Sequence, residues 1–297
     1  MNPGFQDLAA GAFESGLAKL DADPEWHDDR PDLDGPFRLG FPGAPGWGEE
    51  LLVASLLKRH AHASKGQVQV FASEQVCSIL KHDPAFLPYL GEDDTKRRSP
   101  LAVLRHALVG KLLDAPFVPL TSPCRTTAPN MGRRPCAGIA WASVGNSRTI
   151  REKSVPVEQF LDALTGIEAD LISLQPKLSV ADPHGLAAKR GVHLVEHESL
   201  DATTPAVEAL VGEILGLDFL VTISTTTTHI AAAMGTRVEL IVAEREGPQW
   251  FWRVQASHGK YLYPTVRLHL SDGRKEDWWE RSLQSVRASL SREKGSW

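Results

Sequence analysis

Residues 219–235 read Phe219-Leu220-Val221-Thr222-Ile223-Ser224-Thr225-Thr226-Thr227-Thr228-His229-Ile230-Ala231-Ala232-Ala233-Met234-Gly235. Phe219 to Ile223 is an apolar run of the kind that fills a strand covered on both faces. The threonines that follow are poor in a helix interior and good at a helix start. From about Thr227 to Met234 the alanine-rich stretch is helical, and Gly235 ends it. Strand, polar turn and helix make one step of a parallel α/β sheet. The turn can be read in two ways. Hydroxyls and free N–H groups at a helix N-terminus suit an anion such as a diphosphate. Equally, one threonine caps the helix, the others end the strand, and His229 is a satisfied core histidine.

The same step recurs on both sides. Arg237 to Val242 is the next strand, and Trp278 to Leu290 the last helix, after a polar turn. Upstream, the strands are Ala137–Ala142, Asp170–Leu174 and Val192–Val195, and the helices are Val157–Leu164 and Thr204–Leu215. Before them lies Thr121 to Pro135, with three prolines, three arginines and almost no large apolar residue, which reads as a linker. Ahead of it the alternation appears again. Strands are expected at Phe37–Phe41, Val68–Phe71 and Phe117–Leu120. Helices are expected from Glu49 through Leu57, over Glu74–Leu80 and over Leu101–Leu113. Strand alternating with helix in both halves points to parallel sheets with crossover helices.

Length fits this division, since 297 residues make a two-domain chain at about 150 residues per domain. Residues 1–35 hold nine acids and two bases, a net of −7, against −5 for the whole chain. The remainder is therefore +2. Phe5, Leu8, Phe13, Leu17 and Leu20 recur there at helical spacing and read as one amphipathic helix, followed by an acidic connector. The overall charge argues against capture of nucleic acid. No apolar run approaches the roughly 18 residues of a membrane span. The first residues lack the pattern of a signal peptide, so a cytoplasmic protein is expected. Cys77, Cys124 and Cys136 fit no zinc or disulfide framework; Cys124 and Cys136 flank the linker and could meet, but free thiols are expected in a cytosolic setting. Nothing in the sequence sets an oligomeric state.

Two further stretches carry polar groups to strand ends. Gly46-Trp47-Gly48-Glu49-Glu50-Leu51 lies between the first strand and its helix, where glycines allow close backbone approach. Glu49 reads either as a first-turn acid complementing the helix dipole or as a general base for a hydroxyl. Trp47 sits in that loop, unlike Trp250 and Trp252, for which core packing is expected. Lys153-Ser154-Val155-Pro156 lies in the first strand-to-helix loop of the second half, after Trp141-Ala142-Ser143. Ser173-Leu174-Gln175 ends the next strand.

Taken in order, these motifs resemble the glycosyltransferases of the heptosyltransferase-like group, over about residues 37–290. The likeness extends to the family 9-like catalytic domains that follow tetratricopeptide repeats in bacterial proteins. The resembling stretches are Gly46 to Leu51, Trp141-Ala142, Lys153 to Pro156, Ser173 to Gln175, and Ser224 to Gly235. Trp250/Trp252 and Tyr263 to Leu268 follow. Residues 12–35 resemble the closing helix of such a repeat array. Two positions depart from the family pattern: Glu49 and Ser224 each stand where the family has Asp.

The resemblance implies an α/β chain of GT-B architecture, with two Rossmann-like domains facing across a cleft. The expected divisions are a helical extension over 1–35, an acceptor domain over 36–122 and a linker over 123–136. A nucleotide-sugar-binding domain over 137–275 follows, and then a C-terminal helix over 276–297 packing back toward the N-terminal domain. The implied reaction is inverting, metal-independent transfer of a sugar from a nucleotide diphosphate donor to a hydroxyl of a glycan, lipid-linked or protein acceptor. No cofactor beyond the donor is implied. Glu49 would be the base and Lys153 the cation at the diphosphate. Gly48, Trp141, Gln175, Ser224, Thr226, Thr227, Thr228 and His229 would bind the donor, with Gln175 at the ribose or base. The alternative is a weak or inactive relative that binds a nucleotide or glycan or scaffolds a partner. Ser224 and the shortened repeat region motivate it.

Overall fold

The computed structural model describes all residues except 1, 29, 31, 43–45, 89–97, 123–133, 144–152, 176–182, 193, 196–203, 244–249, 272–276 and 293–297. Most of the expected linker, Cys124 and the polar turn before the last helix therefore lie outside the described residues. The chain divides into two compact units. Unit 1 is Met1–Pro123 with Ala233–Gly235 and Gln249–Pro264, and unit 2 is Cys124–Ala232 with Thr236–Pro248 and Thr265–Trp297. The expected nucleotide-sugar-binding domain is the continuous stretch 137–275, whereas the segment around Trp250 groups with unit 1.

Unit 1 holds a three-stranded parallel sheet, in the order β1 (Phe37–Arg38), β2 (Val68–Phe71), β3 (Phe86–Pro88). β3 is unforeseen, being three residues between Asp83-Pro84 and its own proline. Phe117–Leu120, expected as a strand, joins no ladder; Leu120 donates instead to the Ala233 carbonyl at 2.8 Å. The long α3 (Trp47–Ser64) is the centre of the unit, with Leu51, Leu52, Val53, Leu56 and Leu57 wholly buried. α4 (Glu74–Leu80) and α5 (Pro100–Leu108) are capped by Ser73 and Ser99, whose hydroxyls accept from Val76 and Leu101 N–H.

The single N-terminal helix is corrected to a pair, α1 (Pro3–Ala9) and α2 (Phe13–Asp21). Gly11 breaks it at φ 83°, a conformation glycine adopts without strain, and a Cβ there would strike the His258 ring. α1 packs on α10 (Trp250–His258), where Phe5 stacks on Trp250 at 5.9 Å and on Phe41 at 5.8 Å. Trp250 and Trp252 are core residues. The acidic connector closes on the buried Arg98. Its guanidinium donates to the Asp28 carboxylate at 3.1 and 3.2 Å, to Asp32 Oδ1 at 2.8 Å and to the carbonyls of Arg30, Asp32 and Asp34.

Unit 2 is a six-stranded, wholly parallel sheet. Its strands are β4 (Cys136–Ala140), β5 (Asp170–Ser173), β6 (Leu194–Val195), β7 (Phe219–Ile223), β8 (Arg237–Ala243) and β9 (Val266–Ser271). Their spatial order is β6-β5-β4-β7-β8-β9, the order of a Rossmann sheet. The helices are α6 (Val157–Leu164), α7 (Pro183–Ala188), α8 (Thr204–Leu215), α9 (Thr226–Ala233) and α11 (Trp279–Arg292). One apolar cluster joins β4, β5, β7, α6 and α11, with Ile139, Phe160, Val221, Ile223 and Val286 fully buried.

α11 lies against β8, β9 and α6 of its own unit. Serines one to two turns apart fix it. Ser282 Oγ donates to the His269 carbonyl at 2.8 Å, Ser285 Oγ meets His269 Nδ1 at 2.8 Å, and Ser289 bonds Arg267. His269 Nε2 in turn meets the buried Glu239 carboxylate at 2.5 Å, and Arg237 pairs with the same group. Cys77 and Cys136 are free. No helix among the described residues is long and apolar enough to cross a membrane.

Candidate functional site

In unit 2, β4 and β7 are neighbours from which the chain turns away in opposite directions, to β5 and to β8. Such a switch point leaves a crevice outside the carboxyl ends of the two strands, where α/β proteins place ligands. Two turns line it: Trp141-Ala142-Ser143 after β4, and Ser224-Thr225 after β7.

The second turn enters α9, whose first turn carries no acidic residue. Thr228 is wholly buried; its hydroxyl donates to the Ile223 carbonyl at 2.8 Å and accepts from Thr225 N–H at 3.3 Å. That is one arm of a capping box, so Thr228 shapes the helix start from within. Thr226 and Thr227 are half-buried, and they stand where N–H groups have no partner inside the helix. Lys153 Nζ donates to the Ser224 carbonyl at 3.1 Å, which sets a cation beside the positive end of α9. His229 is buried, and burial first, then the Lys153 charge, pushes its imidazole down to about 3. At neutral pH it is uncharged.

The first turn is built by Gln175. Its Oε1 accepts from Trp141 N–H at 3.1 Å and from Ala142 N–H at 2.8 Å, while Nε2 donates to the Ala142 carbonyl at 2.9 Å. Trp141 itself is core, 8 % exposed, with its ring 6.3 Å from Phe160. Trp141, Lys153, Gln175, Ser224, Thr226, Thr227, Thr228 and His229 therefore share one end of one sheet. Ser154 and Thr225, which sequence reasoning did not single out, belong with them; Ser143 N–H donates to Ser154 Oγ at 3.1 Å.

Glu49 and Gly48 belong to unit 1. α3 starts at Trp47 behind Gly46, which offers no side-chain cap, and Glu49 N–H donates to the Gly46 carbonyl at 3.1 Å. The Glu49 carboxylate folds back over that turn: a Cβ on Gly46 would stand 2.3 Å from Glu49 Oε2, so a side chain there would displace the carboxylate. Glu49 is half-buried, and its charge, after burial, helps push the hydroxyl of the buried Tyr263 upward. Glu50 turns the other way. It is 7 % exposed and accepts from Ser73 N–H at 3.1 and 3.2 Å and from Ser73 Oγ at 2.5 Å. Burial pushes its carboxyl up, opposed by those bonds. Among the described residues no group of three or more His, Cys, Asp or Glu is arranged to hold a metal ion.

No family model and no curated protein matches the sequence. Solved structures do match in fold. A glycosyl transferase family 9 protein from Veillonella parvula superposes with a TM-score of 0.55 at 10 % identity, over 88 % of this chain and 97 % of that one. An Escherichia coli heptosyltransferase, WaaC, solved with ADP, gives 0.51 at 10 % identity over 87 % and 97 %. The iron-containing dodecameric glycosyltransferase TibC of enterotoxigenic Escherichia coli gives 0.50 at 13 % identity over 88 % and 77 %. At these identities the likeness is one of fold.

Proposed function

We propose that this chain is a glycosyltransferase that moves a sugar from a nucleotide diphosphate donor to a hydroxyl acceptor, with inversion and without a metal. The observation that carries the reading is Lys153 held on the Ser224 carbonyl beside the acid-free start of α9, at the switch point of a Rossmann-order sheet. The departing diphosphate gains negative charge as the glycosidic bond breaks, and a fixed ammonium and a helix N-terminus stabilise that charge. Thr226 and Thr227 offer backbone N–H groups there. Neutral His229 adds no charge of its own.

In a GT-B enzyme the donor and the acceptor base come from different domains, and here the base assigned is Glu49. Its carboxylate would take the acceptor proton as the hydroxyl oxygen attacks the anomeric carbon. In the same step the bond from the anomeric carbon to the diphosphate oxygen breaks, and the diphosphate leaves with the electron pair. The helix pair over residues 1–35 is read as the end of a repeat array, in a bacterial, cytoplasmic protein. Calorimetry with ADP, GDP and UDP tests the donor site. Lys153→Ala should weaken the diphosphate that binds by about tenfold and leave its nucleoside unchanged. Equal diphosphate affinity in the variant would remove Lys153 from the site and this reading with it.

A further inference from the structure

The Gln175 amide has little left for a ligand. Both acceptor positions of Oε1 are taken by consecutive N–H groups, and one of the two Nε2 hydrogens is taken by the Ala142 carbonyl. One side chain thus grips the exit of β4 from both sides of a single residue. The grip continues into the loop that carries Lys153. Val155 N–H donates to the Trp141 carbonyl at 2.9 Å, and Ser143 N–H donates to Ser154 Oγ at 3.1 Å. Residues 154 and 155 are therefore pinned to the turn that Gln175 shapes. Lys153 is the next residue back, and its Nζ reaches the Ser224 carbonyl at 3.1 Å.

We infer that Gln175 is a positioning residue for Lys153, acting through the Trp141–Ser143 turn, rather than a contact to the ribose or base. The inference rests on the donor-site reading above for its consequence, because the group being positioned is the cation assigned to the diphosphate. Its structural half stands without any ligand. The geometry demands a side chain with both an acceptor and a donor at this length. Alanine loses both, and glutamate keeps the accepted bonds but sets an oxygen against the Ala142 carbonyl. A misplaced lysine lowers affinity for any ligand with a diphosphate, whatever its base. A lost base or ribose contact lowers affinity for the nucleoside as well.

The test uses the full chain and two readouts. Amide exchange is followed by NMR in the free protein, and binding of inorganic pyrophosphate, ADP, GDP and UDP, with the matching nucleosides, by calorimetry. In Gln175→Ala the Ser143 and Val155 amides should exchange at least about tenfold faster, with Phe219–Ile223 unchanged. Pyrophosphate and nucleoside diphosphates should bind about tenfold more weakly, nucleosides as before, and Gln175→Ala should add nothing to Lys153→Ala. Ser154→Ala, a milder change that cuts one of the two links between turn and lysine segment and leaves the Val155–Trp141 bond, should show the same ligand pattern at smaller size.

Unchanged exchange at Ser143 and Val155 overturns the positioning role in any background. So does a loss for nucleosides equal to that for diphosphates, or an undiminished further loss in the Lys153→Ala protein. If the wild-type protein binds none of the phosphates, the donor-site reading falls, and the exchange measurement still decides whether Gln175 positions the lysine segment.

Discussion

The two strand-to-helix turns at Gly46 and at Ser224 are built alike and charged oppositely. Each leads from a parallel sheet into a helix. At α3 the first turn carries Glu49 and Glu50, and no side chain caps Gly46. At α9 there is no acid in the first turn, Thr228 closes the cap from inside, and Lys153 lies alongside. A helix N-terminus is electropositive in both cases. The first turn neutralises that end with carboxylates and the second reinforces it with an ammonium. One fold element thus carries a carboxylate at one turn and an ammonium at the other, the pair to which the proposed reaction assigns the base and the diphosphate site.

The contrast breaks most visibly at Glu49. Glu49→Gln should cut turnover by at least about a hundredfold, the usual weight of a general base, while nucleotide affinity stays within about twofold. A full rate in a steady-state assay would leave Glu49 as a first-turn acid and nothing more. Its neighbour has a different task. Glu50→Ala removes the acceptor of two Ser73 bonds, and denaturant unfolding should show a loss of about 2–3 kcal/mol. If Glu50→Ala spares stability and abolishes turnover, the roles of the two acids are exchanged.

At the other turn, Thr228→Val keeps the shape and deletes the hydroxyl that serves Ile223 and Thr225. Its cost should be about 1–2 kcal/mol in thermal unfolding. A more gradual, pH-dependent effect follows from His229. Its folded value of about 3 lies below the ordinary 6.5, so between these values the unfolded chain binds a proton that the folded chain refuses. Stability should therefore be fully present above pH 6.5, with no pH dependence from this group, and fall by about 1 kcal/mol per pH unit as pH drops from 6.5 toward 3. His229→Gln should flatten that slope; an unaltered slope in the variant would assign the acid sensitivity to other groups.

How far the sequence carried this reading differs between local and distant order. β7, α4, α6 and α8 stand at their expected bounds, because each is an uninterrupted apolar or periodic segment between turn residues. β9 escaped notice because Arg267 and His269 interrupt it, and both are satisfied by Glu239 and α11 serines far away in sequence. The split of the N-terminal helix depends on Gly11 meeting His258, and the placing of residues 249–264 in unit 1 depends on Phe5 and on Arg59. The Arg59 guanidinium holds the carbonyls of Tyr261 at 3.1 Å and Leu262 at 3.2 Å. None of these pairings has a local signature. At the site, motif order located the strand ends, while the tasks of Gln175 and Thr228 became visible only with their backbone partners. A polar residue at a strand end looks the same in sequence whether it faces a ligand or its own main chain.

The central proposal is that the Lys153 turn of unit 2 and the Glu49 carboxylate of unit 1 serve one transfer reaction. Its most direct test is release of nucleoside diphosphate from a panel of nucleotide sugars, in the presence of mixed glycan and lipid-linked hydroxyl acceptors. The account predicts release from one class of donor, abolished by Glu49→Gln and accompanied by a glycosylated product of inverted anomeric configuration. Tight binding of a nucleoside diphosphate with no release from any donor would contradict it, and would make the chain a nucleotide-binding relative without turnover.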